Sequence, residues 1–359
     1  MDLNLYNAGR PGVADVFVFP RKAALLDKRL ILMDPAKLLM YSRTQSEYAT
    51  MCIDHVQGEL GCQMLDPQGD LVEQLKGVEM MIDIGGLSSR EIIDAAVDAK
   101  FWQVIGTGLD HCDVQYILGK GIALGNTPGF TSAFGLAETA MMYILMFTRK
   151  YNQARENFFE RTLYEPNGKT LADLTLGIVG FGASGRQLAK RAKSFGMRIE
   201  AIDIVPLEDD LPADMQPDFY GMSDQMEEVI ARCDVLSLHL HLTPKTRHIM
   251  DASRLALMKP TAFLVNVARG ALVDQDALAE ALLEGKIGGA GIDVFSEEPA
   301  DCTRPEYQLP NCIVTPHTSG QTDETVRRRC QIVIDNARRL AAGDQPLYTV
   351  DASMGLGKS

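Results

Sequence analysis

The chain has no surplus of basic residues, no paired cysteine motif and no apolar run long enough to cross a bilayer. It carries 35 Lys and Arg against 48 Asp and Glu, a formal net charge of -13. That balance argues against nucleic acid or an anionic membrane as partner, because polyanion binding rests on basic patches. A small anionic substrate would need local positive charge instead. The seven cysteines (52, 62, 112, 233, 302, 312 and 330) form no CxxC pair and are odd in number, which favours reduced thiols in a cytoplasm. Met1 to Phe19 lacks the basic region and apolar core of a signal peptide, and the longest apolar run, Ala140 to Phe147, falls far short of the roughly 20 residues a spanning helix needs. No metal site is expected. The chain reads as a soluble, cytoplasmic protein.

What is present suits a folded enzyme-sized chain. With 46% hydrophobic and 23% charged residues no stretch suggests disorder, and 359 residues exceed one small core and suit two domains. From Thr175 onward, short β-rich runs at 175–180, 198–204, 234–240, 261–267, 290–295 and 312–315 alternate with helical patterns at 186–195, 223–232, 251–258 and 274–284. Such alternation predicts a parallel sheet with crossover helices. The amino-terminal part predicts a second, smaller α/β sheet, with strands at 29–33, 62–65, 79–84, 103–106 and 122–124 and helices at 70–76 and 89–99. Residues 1–28 carry too weak a pattern to assign. Thr322 to Ala342 reads as one long helix with Thr322 as N-cap and Gly343 as stop, followed by an extended stretch at 346–350.

Gly180-Phe181-Gly182-Ala183-Ser184-Gly185 is a GxGxxG between a strand and a helix, and Asp203 ends the next strand 18 residues past Gly185. In that context the three glycines serve a tight turn, a close approach of pyrophosphate to backbone, and helix–strand packing. Asp203 would accept from the adenosine ribose hydroxyls and repel a 2'-phosphate, which favours NAD over NADP. Downstream, three ionisable residues leave three buried strands at their carboxyl ends: Arg269 after Asn266-Val267-Ala268, Glu298 after Asp293, and His317 within Thr315 to Gly320. Open α/β sheets bind ligands at that edge. Taken singly, Arg269 fits a surface ion pair, Glu298 a solvated loop acid and His317 a structural histidine.

The run from Thr175 to Gly320 resembles the D-isomer-specific 2-hydroxyacid dehydrogenase family. The resemblance rests on the glycine turn, on 192–197, on His239-Leu240-His241-Leu242-Thr243-Pro244-Lys245-Thr246, on Met258-Lys259-Pro260, on 266–273, 289–299 and 310–320, and more faintly on Asn126 to Gly129 and Glu138. It covers about two thirds of the chain. The fold it implies is α/β, with two Rossmann-like or flavodoxin-like domains built on doubly wound parallel sheets. The nucleotide domain, residues 131–321, is inserted into a substrate domain of residues 1–130 and 322–359 that closes over the cleft.

The resemblance also implies the chemistry: hydride transfer between NAD(H) and a small 2-hydroxy or 2-keto acid of D configuration. His317 would be the acid and base, Glu298 would orient it and favour its imidazolium, and Arg269 would anchor the substrate carboxylate and polarise its carbonyl. Cofactor contacts are expected from Gly180, Gly182, Ala183, Ser184, Gly185, Asp203, His241, Thr246, Val267, Ala268, Arg269, Asp293, His317 and Gly320, with Asp293 at the nicotinamide carboxamide. Substrate contacts are expected from Gly85, Gly86, Leu87, Arg269 and His317. Gly85 to Leu87 equally suit an ordinary strand–helix turn. Many members are homodimers, and the apolar helix at 134–150 fits either an interdomain and dimer contact or a buried core helix.

Three features depart from the family pattern. Ala183 and Ser184 stand where a basic or polar residue and isoleucine are usual, His241 replaces a usual proline, and 129–138 is one residue longer than common. The presence of Glu298, where formate dehydrogenases of the family carry glutamine, argues against formate. An NAD(H)-sensing corepressor-like scaffold and a phosphite-type dehydrogenase are the alternatives on this fold.

Overall fold

The computed structural model describes residues 38–42, 46–86 and 88–351. The strand expected at 29–33, the unassigned residues 1–28 and Leu87 lie outside the described residues. The described residues divide into two compact units, one of Ser132–Gly320 and one combining 38–131 with 321–351.

The discontinuous unit holds the five parallel strands β1 (Leu38–Ser42), β2 (Gln63–Met64), β3 (Met80–Ile84), β4 (Phe101–Ile105) and β5 (Ala123–Gly125), in the order β2-β1-β3-β4-β5. Every residue of β3 and β4 is buried, as expected where helices cover both faces of a parallel sheet. Its helices are α1 (Glu47–Leu60), α2 (Leu71–Leu75), α3 (Arg90–Ala95) and α4 (Val114–Gly119), and the first three begin where a side chain satisfies free amides. The Ser46 hydroxyl accepts from the Ala49 amide at 3.1 Å, and Asp70 accepts from Val72 and Glu73 at 3.0 and 3.1 Å. The order reverses between β1 and β3, so the carboxyl end of β3, where Gly85 and Gly86 follow, lies at the switch point of the sheet.

In the unit of Ser132–Gly320, α5 (Ala133–Thr148) and α6 (Tyr151–Phe159) precede β6 (Thr175–Val179), α7 (Ala183–Ser194), β7 (Arg198–Asp203), β8 (Phe219–Met222) and α8 (Met226–Arg232). Then follow β9 (Val235–Leu238), α9 (Ala252–Leu255), β10 (Phe263–Asn266), α10 (Gln275–Leu283), β11 (Gly289–Ile292) and β12 (Cys312–Val314). The seven strands are parallel in the order β12-β11-β10-β9-β6-β7-β8. Here the reversal falls between β6 and β9. One face of the sheet is covered by α5 and α7, through Ala137, Ala140, Tyr143 and Ile144 against Leu188, Ala189 and Ala192; Leu255, Leu278 and Leu282 cover the other. Each buried leucine or isoleucine among these contributes roughly 1.5–3 kcal/mol.

The last helix, α11 (Asp323–Ala341), is capped by Thr322, whose hydroxyl accepts from the Thr325 amide at 3.1 Å. It belongs to the discontinuous unit and packs Val326, Cys330 and Val333 with Cys52 and Val56 of α1. The stretch at 346–350 makes one antiparallel bridge, Thr349 to Gly125, in place of a longer extended segment.

Five elements were not foreseen. The edge strand β8 is short and half-covered, and α6 buries none of its residues, so neither carries a clear apolar period. The inward face of α1 is only four residues, Ala49, Cys52, Val56 and Leu60. The short elements β1 and α4 complete the five.

Candidate active site

The glycine turn closes as its sequence requires. Gly180 sits at φ +91, and a Cβ there would lie 2.6 Å from the His239 carbonyl, so β6 and the end of β9 touch backbone to backbone. A Cβ on Gly185 would meet the Gly180 oxygen at 2.4 Å, which places α7 directly on the turn. At Gly182, by contrast, no atom lies within 4 Å of a Cβ position. Open space thus faces the amino terminus of a three-turn helix, a cradle that fits the pyrophosphate of a dinucleotide.

Asp203 ends β7 beside this cradle. Its carboxylate accepts from the amides of Phe181 at 2.6 Å, Ile204 at 2.7 Å and Val205 at 3.3 Å. Two oxygens offer about four acceptor positions, so the oxygen facing Phe181 keeps capacity for a ribose hydroxyl.

The three ionisable residues come together at the other half of the sheet edge. Nδ1 of His317 lies 2.8 Å from Oε2 of Glu298, whose other oxygen accepts from the Phe295 amide at 3.0 Å. Burial acts to raise the Glu298 carboxyl. The His317 hydrogen bond and charge, the Phe295 amide and the Arg269 guanidinium outweigh it and hold the group below the ordinary carboxylate range. With its Nδ1 engaged, the imidazole presents Nε2 as the nitrogen for proton exchange. Arg269 follows β10 in extended geometry and donates from Nη1 to its neighbour Ala268 at 2.7 Å. Asn266 holds this corner from both sides, accepting from the Ala268 amide at 3.1 Å and donating to the Arg269 carbonyl at 2.8 Å.

Asp293 has a position that the sequence did not reveal. It is completely buried, and its carboxylate accepts from the Thr315 hydroxyl at 2.5 Å and from the amides of Thr318 and Ser319 at 2.8 and 2.9 Å. Its carbonyl accepts from the His317 amide at 2.8 Å. These bonds clamp the loop that holds His317 at φ +56, a left-handed conformation that a non-glycine residue adopts only when its surroundings enforce it. The Tyr143 hydroxyl bonds Thr315 and extends the clamp to α5. The partners are 22 to 26 residues from Asp293 along the chain, beyond the reach of any local pattern.

The remaining expected residues divide by role. Val267 and Ala268 are buried beneath Arg269. The Thr246 hydroxyl closes a turn, accepting from the Thr243 amide at 2.8 Å and donating to the His241 carbonyl at 2.7 Å, while His241 is exposed and Gly320 half-buried at the end of the His317 loop. In the other unit Gly85 and Gly86 have φ +88 and +71. The Gly85 amide already donates to Ile105 at 3.3 Å and the Ser88 amide to Asp83 at 3.2 Å; both stabilise the turn itself. Among the described residues no group of three His, Cys, Asp or Glu side chains is placed to hold a metal ion, and no helix is long and apolar enough to cross a membrane.

Comparison with known proteins agrees with this geometry. Residues 141–319 match the family model described as D-isomer specific 2-hydroxyacid dehydrogenase, NAD binding domain. The chain is 36% identical over 281 residues to a D-3-phosphoglycerate dehydrogenase of Methanocaldococcus jannaschii; the match takes in 77% of this chain and 52% of that protein, so the chain spans about half the relative's length. It is 38% identical to a hydroxypyruvate reductase of Thermotoga maritima, over 67% of this chain and 77% of the relative. Among solved structures, the D-lactate dehydrogenase of Aquifex aeolicus, complexed with NAD and lactic acid, superposes with a TM-score of 0.72 at 25% identity, covering 86% of this chain and 96% of that one. The chain therefore belongs to the D-isomer-specific 2-hydroxyacid dehydrogenases, NAD-dependent oxidoreductases that act on 2-hydroxy acids.

Proposed function

We propose that the unit of Ser132–Gly320 is the nucleotide-binding domain and the discontinuous unit the substrate domain of an enzyme that interconverts a small 2-keto acid and its D-2-hydroxy acid. The observation that carries this reading is the 2.8 Å pair of His317 and Glu298, with the Arg269 charge acting on the same carboxylate. When bound, NAD(H) supplies or accepts the hydride. In reduction, protonated His317 donates from Nε2 to the substrate's 2-oxo oxygen; in oxidation, the neutral ring takes that proton back. Glu298 keeps the ring oriented through its bond to Nδ1. Arg269 grips the carboxylate through its planar fork and polarises the neighbouring carbonyl, and the Gly85, Gly86 and Leu87 segment is proposed as a second holder of the carboxylate. Asp203 selects NAD over NADP. Steady NADH oxidation against glyoxylate, hydroxypyruvate, pyruvate and bulkier 2-keto acids tests the reading; NADH binding with inactivity on every acid would sink it.

We also place the enzyme in the reducing cytoplasm as a homodimer. All seven cysteines are free thiols and six are buried, which suits a reducing compartment. The dimer surface we favour is the apolar stretch of α6 and the segment after it, where Phe158, Phe159, Leu163 and Tyr164 are 75%, 68%, 73% and 95% exposed. A monomer keeping such a run in water would be unusual. Sedimentation equilibrium returning a monomer at micromolar concentration would overturn the assignment.

A further inference from the structure

The Ser184 hydroxyl has a partner that the glycine motif does not foretell. His239, one residue past the end of β9, spans two serines: its Nε2 lies 2.9 Å from the Ser237 hydroxyl and its Nδ1 3.0 Å from the Ser184 hydroxyl. Ser237 is fully buried inside the sheet. Ser184 is the second residue of α7 and half-buried, next to the open side of Gly182.

A neutral imidazole has one donor and one acceptor nitrogen, and burial pushes this ring down to about 3. The residue as a whole still reaches the surface in part, while the enclosed ring stays neutral at physiological pH. The buried Ser237 hydroxyl needs an acceptor, since an unmatched buried donor is costly, and Nε2 is in position to serve. The proton then resides on Nδ1 and is donated to the Ser184 oxygen. That leaves the Ser184 hydrogen free to turn toward the cradle.

We propose that His239 is a positioning residue for the cofactor: by donating through Nδ1 to Ser184, it directs the Ser184 hydroxyl at the pyrophosphate held at the amino terminus of α7. The relay adds a side-chain phosphate contact to the backbone ones. It rests on the glycine turn being the pyrophosphate cradle. The competing view is a strut that ties β9 to α7 and touches no ligand.

Apoenzyme titrated with NADH, ADP and adenosine separates the two. Loss of the relay removes one hydrogen bond to a charged group, about tenfold in affinity. Ser184→Ala is therefore expected to weaken NADH and ADP about tenfold and to leave adenosine, which lacks phosphate, unchanged. His239→Leu should do the same, and the double variant should lose no more than either single one. His239→Asn, whose amide can donate from nearly the Nδ1 position, should recover most of the affinity. Equal weakening of ADP and adenosine, additive losses in the double variant, or unchanged ADP binding by Ser184→Ala would each overturn the relay. If His239→Leu fails to fold, Ser184→Ala and His239→Asn still decide. A wild-type protein that binds neither NADH nor ADP would remove the cradle itself, and the relay with it.

Discussion

Gly270→Ala offers a stringent test of the site because one methyl group reaches two of the three ionisable residues. Gly270 follows Arg269 directly, and a Cβ built on it would stand 1.9 Å from the Phe295 carbonyl carbon, 2.1 Å from its oxygen and 2.4 Å from the Ser296 nitrogen. All three are backbone atoms, so no side chain can swing aside. Ordinary carbon contacts begin near 3.5 Å; the two segments must therefore part by about 1.5 Å. Gly270 does not have positive φ, and the cost comes from space alone. Phe295 donates the amide that holds Glu298, so its displacement shifts Glu298 relative to His317 while moving Arg269 the other way. A misplacement of about 1 Å can cost about a hundredfold in rate, and overpacking about 1–3 kcal/mol in stability. Steady-state kinetics with the best acid of the panel should show kcat/KM falling about a hundredfold, with a Tm lowered by several degrees. The glycine turn and Asp203 lie on other strands, so NADH should still bind when titrated by fluorescence. Turnover within about threefold of wild type at an unchanged Tm would refute the close approach on which the site is built.

His317→Ala should reduce turnover by about 10²- to 10⁴-fold, the usual worth of a general acid, with NADH still bound; near-normal turnover would remove its role. Arg269→Lys keeps the charge but loses the fork, and an unchanged KM and kcat would contradict carboxylate gripping. Asp203→Ala should narrow the preference for NAD over NADP, read as the ratio of kcat/KM for the two cofactors, and an unaltered ratio would contradict its contact with ribose. The depressed His239 makes a further prediction about acid stability. Its folded value near 3 lies below the ordinary 6.5, so between them the unfolded chain binds more protons; stability is complete above about pH 6.5 and drains as pH falls toward 3. Wild type should therefore lose more stability than His239→Asn between pH 7 and pH 5 in urea titrations. Equal losses would mean that the ring is not enclosed.

Legibility along the chain followed burial. The runs that became β6, β9, β10 and β11 were readable because strands covered on both faces are apolar almost throughout. Thr322 signalled its helix as the N-cap whose hydroxyl accepts from the Thr325 amide. The edge strand β8 and the exposed helix α6 carry less of that constraint, and both escaped notice. Within the site, Arg269, Glu298 and His317 were identifiable as ionisable residues just past buried strands, whereas the buried clamp of Asp293 and the bridge from His239 to Ser184 were not. The latter pair is 55 residues apart in the chain, and a serine and a histidine at that distance bear no local signature.

The sequence by itself determined most of the sheet-forming segments, the glycine turn with its acidic partner at Asp203, and the placing of Arg269, Glu298 and His317 just past buried strands, because each depends on residue type and near-neighbour spacing. Tertiary structure alone decided which nitrogen of His317 is engaged, that Glu298 is held as the charged form, that Asp293 clamps the His317 loop, and that Ser184 meets an imidazole. These are contacts between carboxyl ends of different strands. Their distances are set by sheet order and by how closely Gly180 and Gly270 let backbones approach, quantities that exist only once the chain has folded.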